Sequence, residues 1–324
     1  MPHHGRMTPL QTHMFVDGRL ESESSLSPHP PSDPNWPSLP AWLTTADTHA
    51  PPLVGSCSGY VDRASAPMSR LERATGSIVL IFELSAPISL HTRAGPRRFH
   101  EGGFVAGLDD IPTRTDNGLH QSGIELKLSP RAARRLFRRP LSELARDIVP
   151  VTELLEGEDR HIPERLHNAR DWPSRLALVV DLLTRRLRVP IAAERRVTHA
   201  LSLLHQNLKV STAAAAVGLS VTHLERLFDD HFGVPPKVVA RLHRFERLVA
   251  AMRTHPHLSL SDLAHTLGYA DQSHLTREVR RLSGMTPTAL RLSYLGLGET
   301  SNDSNDSGVD VGFVQDQARR SQAL

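Results

Sequence analysis

The sequence predicts an α+β protein with three structural parts. Between residues 54 and 128, short apolar runs rich in β-branched residues alternate with turn residues, which predicts a β-rich domain resembling a barrel or sandwich. From residue 130 the apolar residues recur at helical spacing, first in a connector and then in a C-terminal domain. In that domain one helix-turn-helix pattern occurs twice, joined by a long helix.

Changes in composition suggest four segments. Residues 1–50 are rich in Pro, Ser and His without periodicity, and we expect a disordered arm. Residues 51–190 would form a β-rich effector or dimerisation domain with its helical connector. The Val189-Pro190 step ends the connector, because a residue before proline avoids helical backbone angles. Residues 191–295 would be the all-α domain, and residues 296–324 a disordered acidic tail.

The β-rich segment contains five strand candidates separated by Gly, Pro and Asp turns. The most apolar is Ser77–Ser85, which reads SIVLIFELS and is typical of a buried strand. The others are Ser58–Arg63, Ile88–Thr92, Gly102–Leu108 and Gly123–Leu128. Short strands at this spacing favour a small antiparallel barrel or sandwich.

Four short helices and one long helix are predicted to follow in the connector. They span Arg131–Phe137, Leu141–Ile148, Val151–Leu155, Ile162–Ala169 and Trp172–Leu187. The last, capped by Asp171, carries an apolar stripe. The stripe consists of Leu176, Val179, Val180, Leu183 and Leu187. It either packs on the adjacent β-rich domain or pairs with a second copy of the chain, which leaves a homodimer open.

The clearest local pattern lies between Ser259 and Arg291. Ser259 can cap a first helix, Gly268 supplies a turn where left-handed backbone costs least, and Asp271 can cap a second helix. In the second helix Leu275 and Val279 face inward. The opposite face carries side chains that hydrogen-bond bases or phosphates: Gln272, Ser273, Thr276, Arg277 and Arg280. This spacing is typical of a helix that enters the major groove.

The same pattern occurs earlier, from Ser211 to Arg241. Gly218 corresponds to Gly268 in the first turn. Five further residues recur 51 positions later: Leu224, Arg226, Phe228, Gly233 and Pro236 recur as Leu275, Arg277, Val279, Gly284 and Pro287. Such a repeat indicates two copies of one structural unit. A helix from Pro236 to about Thr254 would separate them by ~25 Å at 1.5 Å per residue. That spacing suits two successive major grooves about 34 Å apart.

Two such units in tandem resemble the DNA-binding domain of the AraC/XylS family of transcriptional regulators, over residues 192–294. The second repeat carries most of the signature: Leu263-Ala264, Gly268-Tyr269, Ser273, Leu275, Arg277, Gly284, Thr286-Pro287 and Arg291. At Val279 the family usually has Phe. The resemblance implies a sequence-specific DNA-binding regulator. Carried over by position, the DNA-contacting residues are Thr222, Glu225 and Arg226 in the first unit, and Gln272, Ser273, Thr276 and Arg277 in the second.

The resemblance also implies partners. Double-stranded DNA is the first, and RNA polymerase is a candidate. Regulators of this family commonly carry an N-terminal cupin-type barrel as a sensor, so a small-molecule effector is a further candidate, of unknown identity.

The charge distribution agrees with a nucleic-acid partner for the C-terminal domain. Residues 191–295 hold 13 Lys/Arg and 8 Asp/Glu, a net charge of +5, whereas residues 296–324 hold 2 and 5, a net charge of −3. The first 190 residues are nearly neutral at +1, with 23 and 22. The excess positive charge therefore lies on the helix-turn-helix units, where nine His could add to it.

Other classes of function find little support. The only cysteine, Cys57, excludes an intrachain disulfide and a multi-cysteine zinc site. No apolar run approaches the ~20 residues of a membrane span, and the N-terminus lacks a signal-peptide pattern, so we expect no membrane partner and a cytoplasmic location. Three candidate metal ligands, His91, His100 and His120, fit no metal spacing that we recognise. Gly102-Gly103 and Gly107 fit turns better than a phosphate loop.

We therefore expect no cofactor, no metal and no enzymatic activity. Two alternatives to a regulator remain open. One is an N-terminal enzyme tethered to a DNA-binding module, and the other is an architectural DNA binder without sequence preference.

Overall fold

The computed structural model describes residues 13–16, 41–44, 52–63, 68–85, 87–99, 102–118, 120–191 and 194–295. Most of the expected N-terminal arm, and the whole of the expected acidic tail from residue 296, lie outside these ranges. Within the arm the structure describes one strand and one helical turn, neither of which the sequence predicted.

Ten strands form two sheets within the described residues. In chain order they are β1 (His13–Val16), β2 (Val54–Arg63), β3 (Met68–Glu72), β4 (Ile78–Glu83), β5 (Ile88–Thr92), β6 (Gly95–Phe99), β7 (Phe104–Ala106), β8 (Thr113–Asn117), β9 (His120–Leu128) and β10 (Ile148–Pro150). One sheet has the order β1-β2-β9-β4-β7-β10 and the other β3-β8-β5-β6. All pairs are antiparallel except β1–β2.

Twelve α-helices lie in the described residues: α1 (Ala41–Thr44), α2 (Pro130–Phe137), α3 (Val151–Leu154), α4 (Ile162–Asn168), α5 (Trp172–Leu187), α6 (Glu194–His205), α7 (Val210–Ala216), α8 (Val221–Phe232), α9 (Pro236–Thr254), α10 (Leu260–Leu267), α11 (Gln272–Ser283) and α12 (Pro287–Leu295). The predicted α+β architecture is confirmed: the sheets are formed mainly by residues up to 128, and the described chain after it is helical except for β10.

The five predicted strands are present as β2, β4, β5, β7 and β9. The strands that the sequence did not predict include two polar ones, β6 and β8. Their sequences, GPRRF and TRTDN, lack an apolar alternation, and they are strands because β5 lies between them and pairs with both.

One predicted helix of the connector, Leu141–Ile148, is wrong. It is a single 3-10 turn over Leu141–Leu144, followed by β10. Arg146 adopts a left-handed backbone with φ 55°, which ends the turn. The chain then pairs along β7, where the backbone N–H of Gly107 donates to the carbonyl of Asp147 at 3.0 Å. A sheet edge therefore competes successfully with local helix propensity.

The apolar stripe on α5 is buried inside the chain. Leu176, Val179, Leu183 and Leu187 are each 0% exposed, and α5 packs against α2 and α4. At the start of the helix, the ring of Trp172 lies so close to Gly59 on β2 that a Cβ there would be 2.7 Å from it. Val180, the fifth stripe residue, is half-buried and packs against the same core. The stripe therefore packs inside the chain, as the first of the two alternatives has it.

Candidate nucleic-acid interface

The two predicted helix-turn-helix units are α7–α8 and α10–α11. Each second helix begins with a side-chain cap: the Ser220 hydroxyl accepts from the His223 backbone N–H at 3.2 Å, and the Asp271 carboxylate accepts from that of His274 at 2.6 Å. The turns use Gly218 and Gly268 with φ 69° and 77°. Because the turn between α10 and α11 is one residue longer, the repeat offset changes from 50 to 51 there.

The inner faces of α8 and α11 match position by position. Leu224 and Leu275 are both 0% exposed, as are Phe228 and Val279. The aliphatic residue at position 279 is thus as completely buried as its aromatic counterpart in the first unit. Because corresponding positions are buried in α8 and α11, corresponding positions also face outward.

The candidate contact residues lie on these outward faces, at the N-terminal halves of the two helices. Six of them are exposed: Thr222, Glu225, Arg226, Gln272, Ser273 and Arg277. Thr276 is half-buried, and its hydroxyl donates to the Gln272 carbonyl at 2.9 Å. The structure gives the six exposed side chains no hydrogen bond or ion pair with any residue it describes. Arg226 and Arg277 are therefore not intrachain ion-pair residues within this part of the chain.

Glu278 is a functional candidate that the sequence did not reveal. It lies in the middle of α11 and is 8% exposed. Its carboxylate pairs with Arg244 at 3.1 Å and Arg241 at 3.3 Å, both on α9, and with His274 at 3.4 Å. Arg244 also lies over the ring of the buried Tyr269, 4.9 Å from its centroid. A buried carboxylate with these partners fixes α11 to the long helix that joins the two units.

Several histidines of this region do not contribute positive charge. His205 and His243 stack with ring centroids 3.3 Å apart. Burial, together with nearby positive charge, lowers the pKa of His205 to about 3 and that of His243 to about 4. Burial also lowers the pKa of His231. Each of these shifts disfavours the charged imidazole, so these three histidines add little to the attraction for phosphate at pH 7.

The C-terminal ends of α8 and α11 face the β-rich and connector part of the chain. Both end in a left-handed glycine, Gly233 with φ 71° and Gly284 with φ 73°. A Cβ on Gly233 would lie 2.3 Å from the carbonyl oxygen of Leu141, and one on Gly284 would lie 2.5 Å from the side chain of Leu71. The N-terminal halves of the two helices, which carry the candidate contact residues, are thus exposed. Their C-terminal ends pack against the β-rich and connector part of the chain.

A second candidate site is a cavity of about 170 Å³ between the two sheets. Its lining is largely apolar, with Val79, Ile81, Ile88, Leu90, Phe104 and Ile148. Gln121 and Arg73 also line it. Gln121 is 3% exposed, and neither its buried Nε2 nor the buried Nε of Arg73 has a hydrogen-bond partner among the described residues. A largely apolar cavity of this kind suits a mainly apolar small molecule.

Among the residues considered for metal or nucleophilic chemistry, those that the structure describes do not form such a site. Within the described ranges no group of three or more His, Cys, Asp and Glu could hold a metal ion. His91 instead bonds Asp116 at 2.6 Å, and His100 lies outside the described residues. Cys57 is 4% exposed, and burial raises the pKa of its thiol to about 12, so it stays protonated and unreactive at pH 7.

Gly102 and Gly103 are turn glycines, with φ 86° and 105°. A Cβ on Gly103 would lie 1.9 Å from the carbonyl oxygen of Ile81, so only glycine fits this approach of two strands. No helix in the described part of the chain is long and apolar enough to cross a membrane.

The repeated region matches a known protein family. The family described as "Helix-turn-helix domain" matches residues 213–293, from α7 into α12. The C-terminal part of the chain is an AraC-type helix-turn-helix domain. Both reading helices of this AraC-type domain, α8 and α11, lie inside the matched range.

Among solved structures, the chain is similar to ToxT from Vibrio cholerae, with 11% identity over 75% of this chain and 99% of that chain and a TM-score of 0.44. It is also similar to a transcriptional regulator with an AraC-type DNA-binding domain from Chromobacterium violaceum, with 24% identity over 32% of this chain and 94% of that chain and a TM-score of 0.30. No curated protein matches the sequence.

Proposed function

We propose that this protein is a sequence-specific DNA-binding transcriptional regulator that reads two successive major grooves with α8 and α11. The observation that carries the proposal is the pair of matched helices within an AraC-type domain. Each presents an exposed polar face at its N-terminal half, which is the part of a recognition helix that contacts base edges.

The roles of the candidate residues follow from their chemistry. Arg226 and Arg277 can each donate two hydrogen bonds to O6 and N7 of a guanine, and Gln272 can pair with an adenine. Thr222 and Ser273 suit base edges or phosphates. Glu225 can accept from the amino group of a cytosine, and Thr276 offers its methyl group to a thymine.

The net charge of +5 on residues 191–295 supports binding to a polyanion. Phosphate contacts release counterions, so the logarithm of affinity should fall with the logarithm of salt concentration by about 0.9 per contact. Base contacts then add the preference for one sequence.

The test uses the full chain and duplexes selected by it from a random pool. We expect a protected region of about two helical turns in footprinting, and an affinity for the selected duplex at least about 10³-fold above that for random duplex. A folded chain with no DNA affinity at low salt contradicts the proposal. Equal affinity for both duplexes favours the architectural alternative.

The cavity between the sheets supports control by a small molecule. Its volume is close to that of cavities that hold a single aromatic ring, about 150 Å³. Its largely apolar lining suits a mainly apolar compound. Thermal-shift screening of such compounds against the chain, with Gln121→Leu as the matched control, tests this. Hits unaffected by that substitution would place the ligand elsewhere.

The protein should act by binding and not by catalysis. Turnover by the purified chain would contradict this. Its location should be the compartment that holds the target DNA. Contact with RNA polymerase and self-association stay proposals, and self-association would need a surface other than the buried stripe of α5.

A further inference from the structure

A single buried carboxylate connects the β-rich part of the chain to α9 and to α11, the second helix of the second helix-turn-helix unit. Asp110, in the loop between β7 and β8, is 1% exposed. Its Oδ2 accepts from Nη1 of Arg241 on α9 at 2.5 Å, and from Nε and Nη2 of Arg281 on α11 at 3.1 and 2.7 Å. Arg93, at the β5–β6 turn, lies 3.7 Å from its other oxygen. One side chain thus holds both the joining helix and the second reading helix.

Neighbouring backbone groups strengthen the same contact. The Ala74 N–H donates to the carbonyl of Leu282 on α11 at 2.7 Å. The Glu246 carboxylate on α9 accepts from the Gly76 N–H at 2.8 Å and from the Thr75 hydroxyl at 3.0 Å. Residues 74–76 and the Asp110 loop therefore contact α9 and α11 together.

The charged contacts continue from Asp110 toward the reading end of α11. Arg241 bonds Asp110 and also Glu278, and Glu278 pairs with His274 in the first turn of α11. His274 follows Ser273, one of the candidate base-contacting residues. Asp110, Arg241 and Glu278 are buried or half-buried, so solvent screens their ion pairs weakly.

We propose that Asp110 is a positioning residue for DNA reading, which orients α11 directly through Arg281 and indirectly through Arg241 and Glu278. This proposal rests on the proposed function and adds its route of regulation. The residues on either side of Asp110, Asp109 and Ile111, line the cavity between the sheets. A ligand there that displaces the loop would alter the same contact, and so favour one of two orientations of α11.

Asp110→Asn tests the proposal, because it removes the charge and keeps the shape. We expect affinity for a duplex selected by the unaltered chain to fall by about 3- to 30-fold, the usual range for residues that couple two sites. Affinity for random duplex should be unchanged or higher, because the released Arg241 and Arg281 can meet phosphates. Each new phosphate contact would steepen the salt dependence by about 0.9. Asp110→Glu, which restores the charge, should recover part of the loss.

Asp116→Asn is the matched control. Asp116 accepts from the Ser69 hydroxyl at 2.7 Å and from Arg114 at 3.3 Å, and its bonds in the described structure stay within the β-rich part. It should leave the ratio of selected to random affinity unchanged. A folded Asp110→Asn chain with the unaltered ratio overturns the proposal, as does an equal loss on both duplexes.

A second variant keeps the test decisive if Asp110→Asn does not fold. Glu246→Ala removes the neighbouring contact to Thr75 and Gly76, and it should lower the same ratio in the same direction; an unchanged ratio overturns the proposal. If the unaltered chain binds no duplex, the proposed function itself fails. That result is distinct from failure of the positioning role, which requires an unaltered chain that binds and discriminates.

Discussion

Arg277 offers the sharpest test of the reading face. Its side chain is exposed on α11 and has no hydrogen-bond or ion-pair partner in the described part of the chain. Arg277→Ala should therefore change the free energy of unfolding by no more than about 0.5 kcal/mol, as for other surface substitutions. The thermal midpoint measured by circular dichroism checks this.

The effect on DNA should be much larger. A bidentate contact to guanine contributes about 1–3 kcal/mol of discrimination, so affinity for the selected duplex should fall by about 5- to 150-fold. Affinities measured for the four duplexes that differ at one base pair should become nearly equal at that position. The salt dependence should stay unchanged, because a base contact releases no phosphate counterion.

Two matched variants complete the experiment. Arg226→Ala occupies the equivalent position of the first unit and should relax preference at a base pair about one helical turn away. Arg280→Ala, exposed one turn further along α11, should reduce affinity for selected and random duplexes alike. If Arg277→Ala weakens both duplexes equally and flattens the salt dependence, Arg277 is a phosphate contact and the assignment of the reading face is wrong.

Three further predictions concern the fold. Leu183→Asp should unfold the chain, since removing a fully buried leucine alone costs about 2–5 kcal/mol; a folded variant in circular dichroism would contradict the burial of the stripe. Gly233→Ala should lower the free energy of unfolding, measured with urea, by more than about 1 kcal/mol, because a left-handed backbone is combined with a Cβ only 2.3 Å from the Leu141 carbonyl oxygen. Gly218 is equally left-handed but has open space around it, so Gly218→Ala should cost less. Burial, then the Glu125 charge, raises the pKa of Glu72 from 4.5 to about 7. The stabilisation that this raised pKa contributes is complete below about pH 4.5 and is lost as pH rises through 7. Glu72→Gln should therefore reduce the fall in the free energy of unfolding between pH 5 and 8. An unchanged dependence of that free energy on pH would refute this.

The helix-turn-helix units could be predicted because their signals are local. A helix cap, a left-handed glycine and an apolar face each involve residues within about four positions, and here all of them occur twice. The sequence therefore predicts the same unit at two places, and the structure confirms both units. The polar reading face is the remainder of the helix surface once the inner face is known.

The β-rich part was predictable only where strands are apolar. The polar strands β6 and β8 have no pattern of their own, and the predicted helix Leu141–Ile148 overlaps the first residue of β10. Their strand conformation depends on hydrogen bonds to β5 and β7, which come from other parts of the chain. Hydrophobic periodicity cannot reveal a strand that forms because another part of the chain pairs with it.

The sequence by itself determined the two reading helices, their outward residues and the α+β architecture, because these depend on short-range spacing. Only the tertiary structure decided that the α5 stripe is core, that Glu278 fixes α11, and that Asp110 joins the two parts of the chain. The partners of Asp110 on α9 and α11 lie 131 and 171 residues away in sequence. Which arginines a buried carboxylate meets is set by how distant elements pack, and no local pattern encodes that choice.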